Sequence, residues 1–335
     1  MDEFKKLFKN KRILVTGGTG SIGSEIVRQL LKYEPKQIRI FSRDDSKQFF
    51  LQQELNDEKN KDILRFLLGD VRDKDRLDRA FNDIDIVFHA AALKHVPFCE
   101  YNPFEAVKTN ISGTQNILDL AIDHKVEKVI AISTDKAVYP TTVMGITKLM
   151  MERLVVSASN YSGHPELKFA IVRFGNVINS RGSVIPLWIN QIKNRRPITV
   201  TDKKMERYFM SIADAVTLVF VAAAEMLGNE IYVLKMPKYN IYDLAKEVIK
   251  RFGNGSKSKI KFIGAREREK VNEKLFTEEE EELMIDRPPF YIIQPNKETL
   301  KKRLDKYRDN GLADYPKTAD IFEILMEKDS SATQF

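Results

Sequence analysis

The segment Ile13-Leu-Val-Thr16 reads as a strand, and it runs straight into Gly17, Gly18, Gly20 and Gly23, which open a helix carrying Ile26, Leu30 and Leu31 on one face. So many glycines between a strand and a helix cost folding entropy, so the turn must be put to use. It lets backbone N–H groups at a helix N-terminus approach a pyrophosphate and lets the helix pack closely on a sheet. The glycines read as Gly-x-Gly-x-x-Gly from Gly18 or as Gly-x-x-Gly-x-x-Gly from Gly17, and strand, turn and helix fall in the order of a dinucleotide-binding βαβ unit. Thr16, Gly17, Thr19, Gly20, Ser21, Ile22 and Gly23 are the expected cradle.

The same rhythm continues through Ile38-Arg-Ile-Phe41, Leu64 to Leu68, Ile84 to Phe88, Val129 to Ile132 and Phe169 to Arg173, with helix-length segments between. Several of these runs are continuously apolar, as strands covered on both faces must be. The fold class that follows is α/β: a Rossmann-like, doubly wound parallel sheet with a smaller C-terminal substrate-binding domain. After Gly175 the rhythm loosens; Pro186, Pro197, Pro237 and Gly253 to Ser258 mark turns, while Ala213 to Met226 reads as a helix and Glu230 to Leu234 as a strand. The expected division is residues 1–178 plus about 211–236 for the dinucleotide domain, 179–210 and 237–325 for the substrate domain, and a flexible tail at 326–335.

Charge narrows the function. The net charge is +7, but basic residues interleave with acidic ones, as from Asp70 to Arg79, so no stripe fit for nucleic acid forms. The N-terminus is charged, with no apolar leader, and the longest apolar run, Val216 to Ala224, is too short to span a bilayer. A single cysteine, Cys99, excludes an internal disulfide and suits a reducing compartment. The expectation is a cytoplasmic protein without membrane insertion. Phe4, Leu7 and Phe8 give the N-terminal segment one apolar face, read as a packed cap. The acidic run Glu278 to Glu282 reads as an exposed helix start, and Trp188 and Met205 as packing residues. His95 and Cys99 have four-residue spacing, but Pro97 is expected to break the helix such a metal pair would need, so no metal is assigned.

The second strand ends in Ser42-Arg43-Asp44, where an acidic side chain would hold the ribose hydroxyls of NAD. Arg43 beside a small hydroxyl suits a 2′-phosphate and favours NADP, while Asp44 keeps NAD open. Asp70 and Val71 follow the third strand, where a carboxylate can meet the adenine amino group; Asp73 reads as a helix N-cap.

Thr16-Gly-Gly-Thr-Gly20, Gly69-Asp-Val71, His89-Ala90-Ala91-Ala92, Thr109-Asn110, Ser133-Thr-Asp-Lys136 and Lys148 together resemble the extended short-chain dehydrogenase/reductase family. The resemblance is strongest to its UDP-N-acetylglucosamine 4,6-dehydratases of bacterial surface-sugar pathways, and it covers nearly the whole chain. It implies an NADP-dependent redox cycle: carbon 4 of the sugar is oxidised, water leaves across carbons 5 and 6, and the hydride returns to carbon 6. The superfamily's Tyr-x-x-x-Lys pair is here Met144 and Lys148. A thioether cannot exchange protons, so the resemblance moves the proton chemistry to Thr134 as relay, Asp135 as general acid and Lys136 as base at carbon 5. Lys148 would position the nicotinamide ribose, and Met144 would pack beside the sugar.

The resemblance further places Ala90, Ala91, Ala92, Lys94 and Asn110 near the nicotinamide, Lys94 touching substrate as well. It gives Asn176, Arg181, Ser183, Val184, Arg207, Met210, Arg266 and Glu269 to the UDP-sugar. Two departures stand out: Arg266-Glu-Arg-Glu-Lys270 replaces the usual Arg-Pro-Gly-Glu-Lys, and Tyr139 stands where the relatives mostly have asparagine. Pairing into a homo-oligomer through the helices bearing Asn110 and Met144 is also implied. The rival readings are a UDP-sugar 4-epimerase or reductase, which would need the missing tyrosine, and a non-catalytic NADP-binding regulator, against which Lys148 and the acid/base pair argue.

Overall fold

The computed structural model describes residues 2–55, 57–253, 259–309 and 321. The expected turn at 254–258 and the tail at 326–335 lie outside them. The apolar runs pair into a nine-stranded sheet. Its strands are β1 (Arg12–Thr16), β2 (Gln37–Ser42), β3 (Leu64–Leu68), β4 (Ile86–His89), β5 (Lys128–Thr134) and β6 (Lys168–Phe174), later joined by β10 (Glu230–Leu234), β13 (Met284–Arg287) and β14 (Phe290–Ile293). The order is β13-β14-β10-β6-β5-β4-β1-β2-β3, parallel from β10 to β3. The order reverses between β1 and β4, and the crevice at their carboxyl ends is where such sheets bind ligands.

Ile13, Leu14, Val15, Ile86, Val87 and Phe88 are fully buried, as strands sandwiched between helices require. The fourth strand starts at Ile86 and not at the expected Ile84, because Asp83 takes a left-handed φ of 57° and the turn consumes Ile84. The covering helices are α1 (Asp2–Phe8), α2 (Ser21–Leu30), α3 (Asp45–Leu55), α4 (Lys74–Phe81), α5 (Val96–Tyr101), α6 (Pro103–Ala106), α7 (Gly113–Asp123) and α8 (Val143–Ser162). A π-helical stretch, 107–112, joins α6 to α7. Pro97 does not break a helix; it sits in the first turn of α5, where its missing N–H would have no partner anyway. Phe8 of α1 packs 4.8 Å from Phe220, so the N-terminal cap is a core element.

Beyond β6 come β7 (Asn176–Val177), α9 (Val184–Lys193), β8 (Ile198–Val200), β9 (Glu206–Met210), α10 (Ile212–Glu225), β11 (Lys238–Asn240), α11 (Ile241–Phe252), β12 (Ile260–Phe262), α12 (Glu278–Glu281) and α13 (Lys297–Asp309). A separate apolar core gathers Ile185, Trp188, Ile198, Met205, Leu244 and Val248. The hairpin β13-β14, expected in the substrate half, instead extends the large sheet by pairing antiparallel with β10. Ile285, Phe290 and Ile292 are what draw it there, since all three are buried in the main core.

Candidate active site

The glycine turn is a backbone device. Gly17 has φ 65°, and a Cβ on it would lie 2.7 Å from the backbone of Ala91. A Cβ on Gly23 would lie 2.3 Å from the Gly17 carbonyl oxygen, so α2 packs against the turn only because that atom is absent. Gly20 occupies the N-cap of α2 and supplies no side chain to cap it, leaving the first N–H groups of a ten-residue helix facing outward. The arrangement fits a dinucleotide pyrophosphate.

At the adenosine end, the Thr19 and Ser42 hydroxyls are 2.7 Å apart. Asp44 caps α3: it accepts from the Lys47 backbone N–H at 2.9 Å and from the Lys47 ammonium, which holds its carboxyl below the usual range. The Asp70 carboxylate accepts from the Arg72 backbone at 3.0 Å and from its guanidinium at 2.7 Å, with Arg43 at 3.6 Å. Burial would raise its pKa, and those cations lower it on balance. Arg43 itself is more than half exposed. Lys47 escaped the sequence reading, although its three-residue spacing from Asp44 could have flagged it. Asp73 caps α4 as expected, accepting from the Arg76 N–H at 2.9 Å.

Between the glycine turn and the loop after β5 runs a buried chain of hydrogen bonds the sequence did not single out. Thr114 donates to the Asn110 carbonyl at 2.7 Å and so accepts from His89 Nε2 at 3.0 Å; His89 Nδ1 then accepts from Thr16 at 2.8 Å. Burial first, and then the Lys148 charge, push the His89 pKa down to about 3, so the ring is neutral. Asn110, in the π-helical stretch, spends its amide on the Leu93 backbone and on Thr147 of α8. Its grip aligns the loop after β4 with α8, and single π turns often mark such sites.

Thr134 ends β5, and Asp135 and Lys136 begin the short 3₁₀ turn that follows. Asp135 is fully buried. Its Oδ1 accepts from the Thr134 hydroxyl at 3.0 Å and from the Lys136 ammonium at 2.9 Å, while its buried Oδ2 has no partner among the described residues. Lys136 also reaches Asn176 Oδ1 at 3.5 Å, the limit of hydrogen-bond range. The three sequence-predicted groups thus meet, and one carboxylate oxygen stays unengaged by any group among the described residues.

Met144 and Lys148 lie one turn apart on α8 and both are buried. Met144 packs with Cys99 and Ala106 in a small apolar cluster of its own. Lys148 donates to the Ile132 carbonyl at 2.5 Å, and burial pulls its pKa down to about 8 against the opposing pull of Glu152.

The residues expected to meet a substrate divide. Arg207 is buried, its guanidinium donating to the carbonyls of Glu206, Lys270 and Val271, each at 2.8 Å, and approaching Glu269 at 3.4 Å. Glu269 also accepts from the Arg266 N–H at 3.3 Å. Lys136, Thr142, Arg207, Arg268, Glu269 and Lys270 line one cleft. Arg268, in the place of the usual glycine, takes φ 62°, so the left-handed turn is kept. Arg181 lies elsewhere: its guanidinium donates to the Thr19 carbonyl and its N–H to Ser21 at 3.0 Å, strapping its loop onto the glycine turn, while Lys94 donates to the Arg181 carbonyl at 2.9 Å. Ser183 is the N-cap of α9, just before Val184, and its buried hydroxyl has no partner among the described residues. Met210 is a core residue ending β9.

A family model described as polysaccharide biosynthesis protein matches residues 13–295. A protein of Methanocaldococcus jannaschii described as an uncharacterized membrane protein is 51% identical over 298 residues, 88% of each chain. No helix among the described residues of the present chain is long and apolar enough to cross a membrane. The UDP-glucose 4-epimerase of Rickettsia felis is 44% identical over 86% of this chain and 84% of that one. The UDP-N-acetylglucosamine 4,6-dehydratase (inverting) of Campylobacter jejuni is 40% identical over 89% and 87%. The X-ray structure of Pen from Bacillus thuringiensis superposes with a TM-score of 0.83 at 46% identity, over 86% of this chain and 90% of that one. The chain belongs to the polysaccharide biosynthesis protein family and carries the short-chain dehydrogenase/reductase fold of its dehydratase and epimerase relatives.

Proposed function

We propose that the protein is an NADP-dependent 4,6-dehydratase that converts UDP-N-acetylglucosamine to a UDP 4-keto-6-deoxy-N-acetylhexosamine. The observation that carries the reading is the buried Asp135 carboxylate, with one oxygen held by Thr134 and Lys136 and the other without a partner among the described residues. When bound, the nicotinamide ring supplies the hydride acceptor for carbon 4 and the donor for carbon 6. The buried Lys148 ammonium favours the alkoxide that develops at carbon 4 and holds the ribose. Thr134, hydrogen-bonded to the Asp135 carboxylate, relays the carbon 4 hydroxyl proton to it. Lys136, once its ammonium proton has passed to solvent, takes the carbon 5 proton, made acidic by the new ketone; Asp135 gives the proton it received to the carbon 6 hydroxyl, which leaves as water, and a proton returns to carbon 5 as the hydride reaches carbon 6. Arg207, Arg266 and Glu269 serve the nucleotide end.

Arg43 and Lys47 together offer two cations for a 2′-phosphate, while Asp44 is engaged as a helix cap, which supports NADP over NAD. The large sheet serves the dinucleotide and the separate Trp188 core the sugar nucleotide. Exposed Phe98, Tyr101, Phe104, Ile146 and Met150 on α5, α6 and α8 support pairing into a homo-oligomer through those helices. The buried Cys99 thiol suits a cytoplasmic setting.

The second reading, a UDP-sugar 4-epimerase, draws on the name of the Rickettsia relative. It leaves Asp135 and Lys136 without work and asks Met144 for proton chemistry it cannot do. One incubation separates the two: UDP-N-acetylglucosamine with no added reductant gives a product lighter by one water, carrying solvent deuterium at carbon 5. A product of unchanged mass is the epimerase result and refutes the dehydratase.

A further inference from the structure

Two residues with bulky side chains hold left-handed backbone in this site: Tyr139, φ 45°, three residues past Lys136, and Arg268, φ 62°, in the nucleotide segment. Such conformations are costly for residues with a Cβ and persist only where the surroundings over-determine them. The two meet across one seam. The Tyr139 hydroxyl donates to Glu278 Oε2 at 2.6 Å and accepts from the Glu278 N–H at 3.2 Å. The Lys274 ammonium lies 5.3 Å from the Tyr139 ring centre and 2.8 Å from Glu278 Oε1. Thr141 donates to the Arg268 carbonyl at 2.7 Å, and Lys270 to the Val138 carbonyl at 2.8 Å. Every one of these bonds between loop and segment joins residues at least 127 positions apart.

One side of the seam, 138–141, continues directly from Asp135 and Lys136. The other side, 268–278, supplies the Lys270 and Val271 carbonyls that hold Arg207. We propose that Tyr139 is a positioning residue: through Glu278 it fastens the nucleotide-binding segment to the catalytic loop, so that filling the nucleotide end fixes the acid/base pair. This rests on the UDP-sugar reading. The backbone strain at Tyr139 keeps the hydroxyl aimed across the seam, where a relaxed turn would release it.

The test uses the full chain and UDP alone, with affinity read by calorimetry and loop order by amide hydrogen exchange at residues 136–142. UDP is expected to slow exchange there by at least about threefold in the native protein. Tyr139→Phe keeps the strain and loses the hydroxyl; Tyr139→Asn suits the left-handed backbone but cannot span the seam. Both are expected to bind UDP within about threefold of the native protein, to lose the slowing, and to show kcat for water loss reduced about three- to tenfold at nearly constant KM. Should Tyr139→Asn keep both the slowing and kcat, the tyrosine does no positioning and the proposal is wrong. Bound UDP that leaves exchange at 136–142 unchanged in the native protein overturns it too. A native protein that does not bind UDP fails at the calorimeter, before any variant is made, and overturns the UDP-sugar reading together with what rests on it.

Discussion

Arg173 near the end of β6 and Asp135 just past the end of β5 lie on neighbouring strands, and each is buried against an opposite charge. Arg173 uses all five guanidinium N–H groups: Nε and Nη2 on Glu152 at 3.1 and 2.7 Å, Nη1 and Nη2 on Glu280 at 2.9 and 3.0 Å, and Nη1 on the Leu275 carbonyl at 2.9 Å. Burial alone would depress its pKa, and the two carboxylates raise it on balance. Asp135 has one oxygen that no group among the described residues meets. A saturated cluster has nothing left to give and serves the fold; a cluster with a buried acceptor to spare can take a proton or hydrogen bond from water or a ligand. Lys148 touches both worlds, since its charge is drawn by Glu152 while its α8 turn faces the catalytic loop.

Substitutions can break this contrast. The largest effect expected is on chemistry: Asp135→Asn or Lys136→Ala lowers kcat about 10³- to 10⁴-fold, roughly 4–5 kcal/mol. The urea unfolding free energy of Asp135→Asn should stay within about 1 kcal/mol of the native value, because a buried charge is removed and the Lys136 ammonium left behind is part-exposed and can turn to water. Near-normal turnover in Lys136→Ala would end its role as base. Arg173→Met is the mirror image and the next largest. It strands the Glu152 and Glu280 carboxylates, and urea unfolding should show a loss of about 3–5 kcal/mol; a loss below about 1 kcal/mol would make the saturated cluster dispensable.

The smallest effect is the pH response of Lys148, whose pKa in the fold is about 8 against an ordinary value of 10.5. A buried cation destabilises the fold while protonated, so this contribution to stability is fully present above pH 10.5 and is lost as pH falls through about 8. The size is about 3 kcal/mol. Activity moves the opposite way, because the ammonium is the useful form: kcat should fall as pH rises through about 8, and Lys148→Met should flatten that limb as well as lowering its plateau. A limb that persists in the variant belongs to another group.

Where an interaction is local, the residues announce it. The glycine turn, the buried strands and the Asp73 cap each depend on neighbours within a few positions, and all appear where the pattern put them except the start of β4, which moves from Ile84 to Ile86. The acidic run at Glu278 also starts a helix, capped by Thr277 and Glu280 in a reciprocal box. Yet Glu280 is not the exposed residue its neighbours are, because the fold brings Arg173 to it from 107 positions away. The same distance effect sent Arg181 to the Thr19 carbonyl and consumed the Asn110 amide on Leu93 and Thr147.

The sequence alone determined the alternation of buried strands and helices and the glycine turn, since periodicity and glycine geometry are properties of a few consecutive residues, and its resemblance to a family marked the Thr134-Asp135-Lys136 group. Only the tertiary structure decided which ions are saturated and which are left open. It also decided that Tyr139 would be held in a left-handed turn against Glu278. Hydrogen-bond completion is settled by partners far apart along the chain, and no local pattern encodes who those partners are.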